Sequence, residues 1–483
     1  MKLNTIIEKL GKVKVFGNSD ITFCNIAFDS REVTTGCLFV ATKGSSSDGH
    51  NYINQAIESG AVAVICEKES FIKEGVCFVV TENSRKALGV VSAELYGNPS
   101  EKMKVVGITG TNGKTTTVTM LYNLFTALGY ECGLISTIEN RVGKEKIHAT
   151  HTTPDAVSIN SLMDRMVHKG CEYCFMEVSS HSLDQHRVEG IKFCGAIFSN
   201  ITHDHLDYHK EFKEYIRAKK RLFDNLPKNA FALTNADDKN GAVMVQNCKA
   251  AVYRYSCRSS ADFNCKIVES GLEGMLLQIG GKELWTRFIG KHNAYNLIAV
   301  YSTALLLNAN EEEVLIHLSA LESVAGRLEY IKGGDNLTAI VDYAHTPDAL
   351  QNVLKTLSSA AGEAEIVTVF GCGGDRDKTK RPEMAQVAAT YSHKIVVTSD
   401  NPRTENPEAI IEDIKKGFER KDLINTLFIT DRAQAIKAAI TTAKPGSLIL
   451  VAGKGHETYQ EIMGVRSHFD DKEIIEEIFN LMK

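Results

Sequence analysis

The chain holds 483 residues, 43% hydrophobic and 24% charged, an ordinary globular composition long enough for about three domains. Its net charge of −5, without any lysine- or arginine-rich tract, argues against a general nucleic-acid binder. There is no run of about 18 apolar residues to span a membrane, and "MKLNTIIEKLGKVKVFG" lacks an apolar signal core and a small-residue cleavage site, so a cytoplasmic protein is expected.

In chain order, residues 1–100 alternate short strands and helices: "CLFVATKG", "YINQAIESGA", "VAVICE" and "SRKALGVVSAELYG". "YGNPSEKM", with Gly97, Asn98 and Pro99, reads as a linker. Residues 101–326 form the largest block, ending in a long helical stretch through "LESVAGRLEY". From 327 to 483 the pattern restarts with "LTAIVDYAHTP", "AEIVTVFGCGG", "SHKIVVTSDNP", "TLFIT" and "SLILVAGKGHE". Each is an apolar run followed by a polar loop and a helical segment, which predicts an α/β fold with parallel sheets. Chemistry in such sheets gathers at the carboxyl ends of the strands. The 12 cysteines are scattered, and Cys171 and Cys174 lead into the apolar strand "YCFMEV", so buried thiols are expected rather than a redox pair.

"VVGITGTNGKTTT" is a strand, a glycine loop and the start of a helix. Gly113, Lys114 and Thr115 end the usual phosphate-loop pattern, but Ile108 stands where its first glycine belongs. Backbone N–H groups from Gly110 to Thr116 (Gly110, Thr111, Asn112, Gly113, Lys114, Thr115, Thr116) and the lysine are expected to wrap ATP phosphates, with the Thr115 hydroxyl on magnesium. Downstream, "FMEVSSH" puts Glu177 at a strand end, where a buried carboxylate needs a partner or a metal. "IFSNITHDHLDYH" does the same for His203, Asp204, His205, Asp207 and His209. Magnesium favours oxygen ligands, and His203 and His209 by themselves read as hydrogen-bonded loop residues.

The variant loop "GTNGKTT" resembles that of the Mur ligase and folylpolyglutamate synthetase superfamily, which joins an amine to a carboxylate through an acyl phosphate. The likeness runs from "FDSREVTTGCLFVATKGSSSDGHNYI" to "LVAGKGHETYQ". It implies the three-domain α/β Mur ligase architecture: an N-terminal substrate domain over 1–100, a central phosphate-loop ATPase domain over 101–326 and a Rossmann-like amino-acid-binding domain over 327–483. It implies two magnesium ions, with Glu177 and His205 serving the second. In "YIRAKKRLF" it makes Lys219 a CO₂-derived carbamate, although spacing alone suggests an ordinary solvated helix lysine. It also assigns Asn293, Asn296, Arg327, Asp342 and His345 to the nucleotide; taken alone, Asn293 would be a helix cap.

One branch of the family carries a uridine-nucleotide domain, and the likeness then assigns Phe28, Ser30, Ser45, Ser46 and Ser47 to it. "HTTPD" and "EVSSHSLDQHRV" add Thr152, Thr153, Ser179, Gln185 and Arg187 as contacts to a nucleotide-sugar peptide, UDP-N-acetylmuramoyl-L-alanyl-D-glutamate, with His151 departing from the asparagine common there. Arg376, Asp400, Asn401, Pro402, Arg403, Gly453 and Glu457 follow strands of the last domain and can converge on the second substrate. Arginines bind carboxylate in bidentate fashion, while Asp400 and Glu457 suit an ammonium. Meso-2,6-diaminopimelate carries both groups at its far end; lysine lacks the distal carboxylate and is the alternative, together with a sister ligase of the folylpolyglutamate type. Arg403 as a surface arginine, and Arg376 paired with Asp375 or Asp377, are the blander readings. A monomer is expected.

Overall fold

The computed structural model describes every residue except Ser45, Ser46, His203, His205 and Lys483, and does not describe the side chains of Leu206 and Asp207. Three large sheets follow one another along the chain. The first has five strands, with Asn25–Ala27, Cys37–Val40, Ala61–Cys66 and Cys77–Val80 parallel and Lys14–Phe16 antiparallel at the edge. The second has 11 strands. At its centre Phe193–Phe198, Lys104–Thr109, Tyr173–Glu177 and Cys132–Ile135 run parallel. Their near-continuous apolar runs are what a sheet covered on both faces requires.

The third sheet sets Thr338–Asp342, Leu448–Ala452, Ile366–Phe370, Lys394–Val397 and Thr426–Phe428 in parallel, with Glu329–Lys332 antiparallel at one edge. Every apolar run singled out beyond residue 327 is a strand here. The end of "LESVAGRLEY" departs from the expected helix. Helices Lys291–Leu306 and Glu311–Ala320 stop short of it, and "EYIK" pairs with Thr338–Asp342 instead. The central block also holds antiparallel hairpins that periodicity did not announce, over Phe263–Thr286 and Glu139–His148.

The linker is packed: Pro99 and Ser100 are buried, and Ser100 Oγ accepts the Lys192 N–H at 3.0 Å. All 12 cysteines are free, and burial pushes the Cys171 and Cys174 thiols up, as a core reading requires. Among the described residues no helix is long and apolar enough to cross a membrane.

Candidate active site

The carboxyl ends of strands from the second and third sheets face each other across the phosphate loop. Strand Lys104–Thr109 ends at Gly110, and helix Lys114–Ala127 begins after Gly113. Gly113 has φ +87°, and a Cβ there would lie 2.5 Å from Asn296 Oδ1, so only glycine fits. Asn112 N–H donates to Asn200 Oδ1 at 3.0 Å, fixing the loop. Lys114 is drawn over the loop, donating to the carbonyls of Gly110 at 3.0 Å and Thr111 at 2.9 Å. Two cavities meet here, of about 320 Å³ and 290 Å³, and Asn112, Gly113 and Arg327 line both.

The first cavity has the character of a nucleotide pocket. Thr116, Asn293 and Asp342 line it. Asn293 is inside its helix rather than capping it; its Nδ2 donates to Ile289 O at 2.9 Å and its Oδ1 accepts from Asn296 at 3.0 Å. Asp342 accepts the N–H groups of Leu328 and Ala344, both at 2.8 Å, and burial raises its carboxyl above the ordinary range. His292, on the same wall, is pushed down to about 4 by burial and by Arg327, so it is neutral at pH 7.

The second cavity is lined by Lys114, Thr115, Glu177 and Asp204 at one end and by Arg376, Arg403, Asp400, Asn401, Gly453 and Glu457 at the other. Glu177 is fully buried; Thr137 N–H donates to its Oε1 at 2.8 Å, while its Oε2 is buried without a hydrogen-bond partner. An orphaned carboxylate oxygen in the cavity that Thr115 also lines suits a hard cation, so these residues fit magnesium. Among the described residues there is no cluster of three metal-ligating side chains of the histidine, cysteine or carboxylate type; His205 lies outside the described residues.

Lys219 is 1% exposed and therefore not the solvated helix lysine that spacing suggested. Helix Phe212–Asp224 turns Tyr215, Ala218, Lys219, Leu222 and Phe223 to one buried face. That i−4, i+3 placement between Tyr215 and Leu222 was a legible sign of burial. Lys219 Nζ donates to Gly110 O at 2.7 Å and lies 4.6 Å from the Tyr215 ring centre. Burial, reinforced by the charge of Lys114, holds it well below the usual lysine range.

At the other end Asp400 Oδ2 is buried without a hydrogen-bond partner, and a Cβ on Gly453 would sit 2.4 Å from it. Asn401 donates to Glu457 Oε2 at 2.7 Å, and burial next to Asp400 raises the Glu457 carboxyl. Pro402 is buried beside them, and Arg403, at φ +51°, donates to Gly374 O at 2.6 Å. Arg376 extends along the cavity; Asp375 is instead bonded to Thr404 at 2.7 Å and Asp377 to Thr379 at 2.7 Å.

The remaining assignments are spread more widely. Thr152 lines the second cavity, accepting from Thr137 Oγ1 at 3.0 Å. Thr153 donates to Glu177 O at 2.8 Å, and Ser179 N–H donates to Thr153 Oγ1 at 3.1 Å. Arg187 ties Gln185 Oε1 at 2.8 Å to Thr153 O at 2.8 Å. Phe28 and Ser30 belong to the first sheet's unit and line neither cavity; Ser30 donates to Gln55 at 3.0 Å. Ser47 donates to Tyr52 Oη at 3.3 Å, whereas Ser45 and Ser46 lie outside the described residues. Sequence reasoning passed over Thr137, Tyr343, Asp348 and Lys380, all at the site. Tyr343 stands inside "LTAIVDYAHTP", and Asp348 and Lys380 lie a few residues from His345 and Arg376, the side chains that drew attention.

Three family models cover the chain: the Mur ligase family catalytic domain over 21–103, the Mur ligase middle domain over 108–304, and the Mur ligase glutamate ligase domain over 326–455. The chain belongs to the Mur ligase family, whose three-domain α/β fold it has. It is 52% identical over 483 residues to the UDP-N-acetylmuramoyl-L-alanyl-D-glutamate–2,6-diaminopimelate ligase of Bacteroides fragilis, covering 100% of both chains. It is 53% identical to the protein of the same name from Parabacteroides distasonis, covering 99% of each. A solved structure of an enzyme so named superposes with a TM-score of 0.71 at 31% identity, over 98% of each chain.

Proposed function

We propose that this chain is an ATP-dependent ligase that adds meso-2,6-diaminopimelate to UDP-N-acetylmuramoyl-L-alanyl-D-glutamate, a cytoplasmic step of peptidoglycan synthesis carried out by a monomer. The observation that carries this reading is the second cavity, where a phosphate-loop lysine and an orphaned carboxylate meet paired arginines and paired acids in one space. The relatives' shared name supports the same substrates. Residues 1–100 would hold the uridine end through Phe28, Ser30 and Ser45–Ser47, residues 101–326 the ATP, and residues 327–483 the amino acid.

The γ-carboxylate of the D-glutamate attacks the γ-phosphorus of ATP, giving an acyl phosphate and ADP. The diaminopimelate amine then attacks the acyl carbon, releasing inorganic phosphate and a proton as the amide forms. Catalysis of this kind is chiefly positioning and charge neutralisation. Lys114 and Arg327 bind the phosphates, Asn293 and Asp342 the nucleoside, and Thr152, Thr153, Ser179, Gln185 and Arg187 orient the glutamyl arm. Arg376 and Arg403 take the distal carboxylate of diaminopimelate, Asp400 and Glu457 its ammonium, with Asn401, Pro402 and Gly453 shaping the pocket. Magnesium, when bound at Thr115, Glu177 and His205 with a Lys219 carbamate, supplies neutralisation of phosphoryl charge. A buried, proton-poor Lys219 amine is the form that captures CO₂.

The test is phosphate release from ATP with the uridine substrate, adding meso-diaminopimelate or L-lysine in parallel. Stimulation by diaminopimelate alone is expected. Stimulation by lysine alone would keep a ligase and discard the roles of Arg376 and Arg403. Lys114→Ala is expected to abolish release altogether; undiminished turnover would sink the assignment.

A further inference from the structure

Among the described residues, Asp348 and Lys380 of the third sheet's unit reach the central one beside the phosphate loop. Asp348, in the first turn of helix Pro347–Ala360, accepts from Asn112 Nδ2 at 2.9 Å and from Thr202 Oγ1 at 3.4 Å. Lys380, the first residue of helix Lys380–Tyr391, donates to Asp204 Oδ1 at 2.7 Å. Thr202 and Asp204 both follow strand Phe193–Phe198, so the two contacts grip one segment. The Lys380 and Asp204 side chains are only 19% and 10% exposed, a setting in which an ion pair is screened far less than at the surface.

Lys380 also ends the segment that carries Arg376 away from strand Ile366–Phe370. Its neighbour Lys378 pairs inside its own unit, with Glu405 at 3.1 Å. Lys380 is thus a cation that leaves the third unit to reach the segment beside Lys114, and both face the second cavity. Given the ligase activity proposed above, the amine subsite and the acyl phosphate are held by different units and must be brought into line.

We propose that Lys380 is a positioning residue for the ligation step: paired with Asp204, it fixes the Arg376 segment so that the bound amine faces the acyl carbon. An error of about 1 Å in such an alignment costs about 100-fold in rate. Acyl phosphate formation uses the central unit's groups with Arg327 and Asp342, and the Asp348 contacts still dock the two units, so it should survive without the pair. A stranded acyl phosphate is then consumed by water, which returns the carboxylate and inorganic phosphate while ADP has already formed.

The experiment compares the full-length wild type with Lys380→Met, Lys380→Arg and Lys378→Met, measuring ADP and amide separately at saturating ATP and uridine substrate. Wild type and Lys378→Met should form ADP and amide in equal amounts. Lys380→Met should lose about 100-fold in amide formation while ADP outruns amide, with the KM for ATP little changed; Lys380→Arg should restore much of the coupling. Wild-type rate and coupling in Lys380→Met would overturn the proposal. So would a loss shown by its melting curve to be a loss of folded protein, or one confined to the KM for ATP, with the coupling intact. A wild type that binds ATP yet forms no amide would instead refute the ligase reading and take this inference with it.

Discussion

Arg432 and Asp471 have no exposed side-chain surface, and two hydrogen bonds of 2.7 Å close them into a bidentate pair under the third sheet. Such a pair is a poor source of net stability, but removing one partner strands a buried charge. Asp471→Asn should therefore cost about 3–5 kcal/mol, read as a fall in the urea midpoint of the third unit. Arg381 behaves differently, since its partners Glu405 at 2.8 Å and Asp413 at 2.9 Å lie nearer water. The Arg381 guanidinium holds Glu405 down to about 2 against an ordinary 4.5. A carboxyl depressed in the folded state stabilises fully above its unfolded value and loses that contribution as the pH falls through the folded one. Glu405→Gln should thus be less stable than wild type at pH 7 by about 1–3 kcal/mol. The gap should close between pH 4.5 and about 2 in acid-melting curves.

At the scale of elements, the phosphate loop depends on Gly113 and on Gly110, where φ is +155° and a Cβ would lie 1.9 Å from Ser199 Oγ. Gly113→Ala forces a side chain to φ +87° and against Asn296. Strain of about 1–3 kcal/mol corresponds to about 5- to 150-fold in affinity, so calorimetry should find ATP binding weakened by that much. This loop was legible from sequence because strand, glycine turn and helix are contiguous and each local choice agrees with the others. The burial of Lys219 was legible too, in the positions of Tyr215 and Leu222, which the reading of a solvated helix lysine left unused. Glu329–Lys332 was not legible, because its strand state comes from pairing with Thr338–Asp342 while its sequence merges with the helical run before it. Likewise Thr137 holds Glu177 through a backbone N–H, a contact that no side-chain pattern reveals.

At the scale of the molecule, both cavities are walls of the central and third units at once. A ligand there binds only when the two are docked, and binding linkage then adds to the stability of both. A non-hydrolysable ATP analogue at about 100 times its Kd should add about 2.7 kcal/mol. It should also merge the melting of the two units into one transition in scanning calorimetry. Separate transitions that do not move together would contradict a shared pocket. The sequence placed the pocket residues in the right loops, yet it could not say that Asp348 and Lys380 cross between units, since those contacts join positions 236 and 176 apart.

Leu328 sits at the joint between these units with φ +45°, a conformation costly for any residue with a branched side chain, and the Asp342 carboxylate holds its N–H. The same carboxylate lines the first cavity. A hydroxyl bound at Asp342 would share the carboxylate that holds the Leu328 N–H. One carboxylate would then serve two masters, the ligand in the cavity and the bent backbone behind it.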